Sequence, residues 1–244
     1  MRVALFVACF NDALYPAVGQ ATVRILEALG HEVAFPDAQT CCGQIHFNTG
    51  YRDACVPLVR RFAELFAPFD AVVTPSASCA AMVRHHHATV ARHAEDPALE
   101  AIADEVAPRV FELTEFLLDA TSGVTPAGSF PHAVALHQTC HSARLLGIGD
   151  RPRRLLESVP DLRLVEIAGA DQCCGFGGTF AVKNEAVSMA MGDDKVAAIE
   201  ASGADVLTAA DSSCLMHLGG RLHRRRSPIR VMHLAEIVAV ALDA

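Results

Sequence analysis

Eight of the nine cysteines fall into two sets that repeat along the chain. They stand at positions 9, 41, 42 and 79 and again at 140, 173, 174 and 214, so the second set follows the first at a nearly constant offset. Each set reads Cys-x31–32-Cys-Cys-Gly-x35–38-Cys. Chance would not give two Cys-Cys-Gly tripeptides matched partners on both sides. The chain is a tandem duplication. Cys55 stands outside both sets.

Local patterning repeats with the cysteines. Val3–Ala8 is an apolar run of strand length that ends at Cys9. A helix is expected over 16–29, with Pro16 near its start and Gly30 past its end, then a strand over 32–35 and the loop of Cys41-Cys42-Gly43. A helix over 53–67 and a strand over 71–74 lead to Ser76-Ala77-Ser78-Cys79. The second half repeats this order: strand 132–136 before Cys140, helix 150–158, strand 162–167 before Cys173-Cys174-Gly175, helix 183–202, strand 205–208 before Cys214. Residues 96–120 carry a helical period, and the Gly/Pro/Ser-rich stretch up to Pro131 reads as a linker. Alternating strands and helices specify parallel sheets covered on both faces. The fold class expected is α/β: two tandem Rossmann-like repeats, 1–122 and 132–244, joined by 123–131. In such sheets ligands bind beyond the carboxyl ends of the strands, which is where every repeated cysteine lies.

Four converging thiols per repeat have few uses. Buried filler and redox disulfides are the plain alternatives. Thiolate is soft and selects zinc or iron–sulfur clusters, and four cysteines satisfy either by count. Adjacent cysteines diverge on an extended backbone, which favours a cluster with separate irons over one small ion. Gly43, Gly175, Gly177 and Gly178 allow close backbone approach over such a site.

Composition narrows the rest. Net charge is −8, with 20 basic and 28 acidic residues, so the basic footprint of a nucleic-acid binder is missing. The cluster Arg221–Arg226 reads as a solvated helix end. No apolar run approaches the roughly 18–20 residues of a membrane span. Met1-Arg2 leads straight into a strand without signal-peptide features, so a soluble cytoplasmic chain is expected.

The paired Cys-Cys-Gly motifs resemble the cysteine-rich CCG-domain family. Its repeats occur in heterodisulfide reductases and in iron–sulfur subunits of glycerol-3-phosphate and glycolate oxidising enzymes. The stretches 3–16, 113–117 and 173–195 are most similar to the lactate-utilisation members. The resemblance covers essentially the whole chain. It implies a subunit of a complex that oxidises L-lactate to pyruvate, with companion iron–sulfur protein subunits and a small 2-hydroxy acid as the substrate of the complex. It further implies Cys9, Cys41, Cys42 and Cys79, with Cys140, Cys173, Cys174 and Cys214, as ligands of one or two 4Fe–4S clusters. The fullest family pattern ends in Cys-x-x-Cys, and here Ser76 and Asp211 stand where its extra thiol would be. That departure favours ordinary four-thiolate clusters, an oxygen ligand from Asp211, or zinc in one repeat. A disulfide-handling, heterodisulfide-reductase-like subunit, an electron-transfer subunit of a glycolate or glycerol-3-phosphate dehydrogenase, and a zinc-stabilised interaction module are the alternative functions.

Other residues carry weaker signals. His137 and His141 flank Cys140 and suit a bond to cluster sulfur or proton transfer near a 2-hydroxy acid. Lys183, after the Gly-rich loop, suits attraction of a substrate carboxylate. Cys55 reads as core filler, and His85-His86-His87 as a surface run on the helix after Cys79.

Overall fold

The computed structural model describes residues 2–121, 123, 124 and 126–242. The first half runs β1 (Arg2–Leu5), α1 (Cys9–Leu14), α2 (Pro16–Ala28), β2 (Glu32–Ala34), α3 (Gln44–Thr49), α4 (Arg52–Phe66), β3 (Ala71–Thr74), α5 (Ala77–His93), α6 (Pro97–Val106), β4 (Val110–Glu112) and α7 (Leu113–Glu115). The second runs β5 (Ala133–Leu136), a π-helical segment His141–Leu146, α8 (Arg151–Glu157), β6 (Arg163–Val165), α9 (Phe180–Lys183), α10 (Glu185–Ala201), β7 (Val206–Thr208), α11 (Ser212–Arg224), β8 (Arg230–Val231) and α12 (Leu234–Leu242).

Two four-stranded parallel sheets result, in the orders β2-β1-β3-β4 and β6-β5-β7-β8. Val3 pairs with Val33 and Ala71; Val134 pairs with Leu164 and Val206, so the register itself is duplicated. All residues of β3, β5 and β7 are buried, as strands covered on both faces must be. The expected α/β architecture of two repeated halves is the one observed.

The 96–120 segment departs from expectation. It is not one helix: Pro108 ends the helical run in a 3₁₀ turn, and Val110–Glu112 pair with β3 as an edge strand. Helix 183–202 also breaks, at Asn184, into α9 and α10. The described residues of the stretch 123–131 are not slack. Val124 and Phe130 are buried, and the amides of Gly128 and Phe130 donate to the carbonyls of Ala241 and Pro160. One apolar cluster joins Val3, Ile25 and Val73 to Val134, Leu155, Val206 and Ile237 of α12, so the halves share a core.

A buried acid marks the end of β4. Glu112 accepts hydrogen bonds from the backbone and hydroxyl of Thr114, while Oε1 has no partner among the described residues. Burial pushes its carboxyl up to about 8. The folded chain therefore holds a proton that the unfolded chain has released, and stability falls as pH rises from the ordinary carboxylate range toward 8. Glu112→Gln is expected to remove that fall. Melting temperatures of both proteins at pH 5 and pH 8 check it: equal pH slopes would contradict the assignment.

Candidate metal centre

The four cysteines of each half reach one place by matched routes. Cys9 opens α1 directly after β1, at a strained junction: Ala8 holds φ 64° and ψ 161°. Gln39 ties the following Cys-Cys loop to β1, accepting from the Val7 amide at 2.8 Å and donating to the Leu5 carbonyl at 3.1 Å. Cys79 and Cys214 sit in the first turns of α5 and α11. Gly43 and Gly175, both at φ 91°, turn their amides onto Cys41 Sγ and Cys173 Sγ at 3.4 Å. A side chain at Gly175 is excluded, because its Cβ would lie 2.5 Å from the Ser188 carbonyl.

The two sets face each other. All eight thiols line a single cleft of about 790 Å³, part of it open to solvent. In each set two thiols are buried (Cys42 and Cys79; Cys174 and Cys214) and two are half-buried. The buried pairs touch, Cys42 Sγ donating to Cys79 Sγ at 3.4 Å and Cys174 Sγ to Cys214 Sγ at 3.2 Å. Hydrogen bonds from Cys42 and Cys9 hold Cys41 far below the ordinary thiol range, and Cys140 and Cys174 do the same for Cys173. Cys9, Cys42, Cys140 and Cys174 are correspondingly pushed up. Each set thus gathers around one thiolate, and metal binding would displace the remaining protons. The donor chemistry suits a soft metal. One expectation fails here: the adjacent thiols do not diverge, since Cys41 and Cys42, and likewise Cys173 and Cys174, bond to each other through their side chains, so both members of each pair serve the same set.

Ser76 and Asp211, the two positions that break the Cys-x-x-Cys pattern, meet across the junction of the halves. Asp211 is 1% exposed. Its Oδ1 accepts from Ser76 Oγ at 3.0 Å and from the Ser78 amide at 2.9 Å, and its Oδ2 from Thr139 Oγ1 at 2.6 Å. The Ala77 amide donates to the Ala210 carbonyl at 3.1 Å beside them. Around the rim, Phe10 meets Phe176 edge-on at 5.5 Å and Thr49 bonds Thr179 at 2.7 Å.

The remaining candidates scatter. His141 lines the cleft, its Nδ1 3.4 Å from Cys140 Sγ. His137 is buried behind Cys174 and Cys214, and desolvation together with the charge of Lys195 holds its imidazole down to about 3. Lys183 is exposed outside the cleft lining, 5.5 Å from the Tyr51 ring centre. Of the histidine run, His85 is exposed, but His87 returns to the core face of α5 and contacts the Cys42 carbonyl at 2.9 Å. Arg221 and Arg225 pair with Asp193 and Glu200 of α10.

Cys55 does have a counterpart, which a cysteine count could not show. Cys55 Sγ donates to the Gly43 carbonyl at 3.5 Å, and Ser188 Oγ donates to the Gly175 carbonyl at 2.7 Å. Cys55→Ser is therefore expected to fold, and Cys55→Ala to keep full metal content at a cost of about 1 kcal/mol from a small void. Metal analysis and a denaturant titration check this; metal loss in either variant would place Cys55 among the ligands.

Comparison with known proteins agrees with this architecture. The cysteine-rich domain model named CCG matches twice, over residues 3–84 and 134–219. Lactate utilization protein A of Exiguobacterium sp. is 46% identical over 97% of this chain and 96% of its own, and that of Geobacillus kaustophilus 47% over 98% of each. A hypothetical protein from Helicobacter pylori shares the fold, with a TM-score of 0.70 at 13% identity over the whole chain; the chain spans 49% of that protein's length. The chain belongs to the cysteine-rich CCG-domain family, carrying the domain twice, and is similar over nearly its whole length to lactate utilization protein A.

Proposed function

We propose that this chain is an iron–sulfur, electron-carrying subunit of a lactate-utilisation system, taking electrons from the oxidation of L-lactate to pyruvate and exchanging them with companion iron–sulfur subunits. The observation that carries the proposal is the convergence of two four-thiol sets on one cleft. We take the repeats as 1–122 and 132–244, with 123–131 between them.

Cys9, Cys41, Cys42 and Cys79 would hold one centre, and Cys140, Cys173, Cys174 and Cys214 the other. When bound, an iron–sulfur cluster supplies one-electron transfer. The chain's own part is to hold one thiolate in each set, Cys41 and Cys173, and to bring the other thiols close to it. The amides of Gly43 and Gly175 donate to Cys41 and Cys173 and stabilise thiolate charge there. Burial of Cys42, Cys79, Cys174 and Cys214 limits solvent reorganisation around them. Among the described residues, the cleft lining includes no lysine or arginine, so a 2-hydroxy acid carboxylate finds no cationic partner beside the thiols. The acid is better accommodated on a companion subunit, with this chain carrying electrons in the cytoplasm.

Anaerobic purification followed by iron, sulfide and zinc analysis, with electron paramagnetic resonance before and after reduction, tests the proposal. Iron and sulfide with a signal that changes on reduction are expected. Convergence of the adjacent thiols also suits a single ion, so stoichiometric zinc with no response to reduction would overturn the redox role in favour of a zinc-stabilised module.

A further inference from the structure

The two donor sets are not equivalent, and the difference lies at the end of one strand. His137 occupies the place of Phe6: the His137 amide donates to the Thr208 carbonyl at 2.8 Å, and the Phe6 amide donates to the Val73 carbonyl at 2.9 Å. Lys195 likewise stands where α4 carries Phe62, at the same offset along the chain that relates Cys55 to Ser188. In the first half Phe6 and Phe62 meet edge-on at 5.0 Å and seal the floor with hydrocarbon. In the second half that aromatic pair is replaced by an imidazole and an ammonium. Lys195 Nζ is satisfied by the carbonyls of Gly169 at 2.7 Å and Ala170 at 3.0 Å, which anchors the loop leading to Cys173.

His137 is not satisfied. It is 1% exposed, and neither ring nitrogen has a hydrogen-bond partner among the described residues. Leaving such a group buried and unpaired is unfavourable unless something else binds it. A ring nitrogen of His137 and the sulfurs of Cys174 and Cys214 all lie within 4.8 Å of one another. No other trio of histidine, cysteine or carboxylate groups among the described residues is that close. Imidazole nitrogen is a good ligand for both iron and zinc.

We propose that His137 is a nitrogen ligand of the second-half centre, beside Cys174 and Cys214, while the first-half centre is held by sulfur alone. The proposal rests on the iron–sulfur reading above. It takes imidazole in place of one of the four second-half thiolates assigned above, which makes the two centres electronically distinct, because that exchange raises the potential of an iron–sulfur centre. The second-half centre then becomes the electron sink of the pair.

The test uses the anaerobically prepared full chain, reduced, with natural-abundance and with ¹⁵N-labelled histidine, examined by pulsed electron paramagnetic resonance. His137→Phe, which installs the first-half residue, and His137→Gln are measured alongside. A strong coupling from metal-bound nitrogen is expected in the unsubstituted protein. It should change with the label and be lost in both variants, with a fall in the midpoint potential of one centre only. Unchanged melting and retained first-half iron would separate ligand loss from unfolding. Iron and sulfide present without a bonded histidine nitrogen would overturn this proposal alone, even if both variants failed to fold. A coupling that persists in both variants would overturn it too, moving the ligand to another histidine such as His141. Absence of iron and sulfide from the unsubstituted protein would instead overturn the iron–sulfur reading, and this proposal with it.

Discussion

Cys174→Ser is expected to empty the second-half centre while leaving the protein folded. Cys174 is 2% exposed, in contact with Cys214 and Cys173, and its adjacent Gly175 has no room for a side chain. Serine fills nearly the same volume, so packing changes little. A hydroxyl is a harder donor with a far higher pKa than a thiol, and does not replace thiolate toward a soft metal. Anaerobic Cys174→Ser protein should retain roughly half its iron if each half holds one cluster. Lactate-dependent reduction of the assembled complex should fall to background. Cys173→Ser should behave alike, since Cys173 is the thiolate about which its set gathers. The control is Cys55→Ser, at a buried thiol outside both sets, which should lose nothing. Metal content, a reduced-state spectrum and a lactate-driven assay read all three outcomes. Full iron and full lactate oxidation in both variants would remove the second set from the redox path.

Much of this arrangement is legible in the sequence. Cysteine spacing is a long-range signal that survives divergence of everything between, and it locates both donor sets and the duplication. Strand periodicity locates β1, β3, β5 and β7, the buried centre of each sheet. The edge strands β4 and β8 are not legible, because three and two residues carry no period of their own. In the first case a run of helix-spaced apolar residues from Leu99 to Leu117 also masks the strand. What no local pattern contains is how one half sits on the other. That follows from contacts between residues more than a hundred positions apart, such as Ser76 with Asp211 and Phe10 with Phe176. The same limit hides the roles of His137 and Cys55. Sequence places His137 only in the loop beside Cys140, and the matching strand ends are needed to show that its counterpart is Phe6. Cys55 reads as filler because its counterpart is not a cysteine: Ser188 makes the same bond to the carbonyl of the Cys-Cys-Gly glycine.

Asp211→Ala should cost more stability than any other single polar change at the cleft. The carboxylate is almost fully buried and receives three hydrogen bonds, two from the first half and one from the second. Removing it leaves the Ser76 hydroxyl, the Ser78 amide and the Thr139 hydroxyl without an acceptor. Bonds to a buried charge and the penalty for stranded donors together suggest about 3–5 kcal/mol. For a chain of this size that lowers the melting temperature on the order of 10 °C. A graded series guards against simple collapse of the alanine variant. Ser76→Ala removes one of the three bonds and should cost about 1 kcal/mol. Asp211→Asn keeps an acceptor for the first-half donors, while the Thr139 hydroxyl can rotate to accept from the new amide. The same series decides between a brace and a ligand. A brace predicts that Asp211→Asn keeps full metal content with a small loss of stability, and that stability falls in the order Ser76→Ala, then Asp211→Ala. A carboxylate bound to metal predicts the opposite for the asparagine variant: near-normal melting of the metal-free chain with metal content lost. The hydrogen bonds occupying both oxygens favour the brace. Were Asp211→Ala to melt like the unsubstituted protein, the two halves would be held together by the shared apolar core alone.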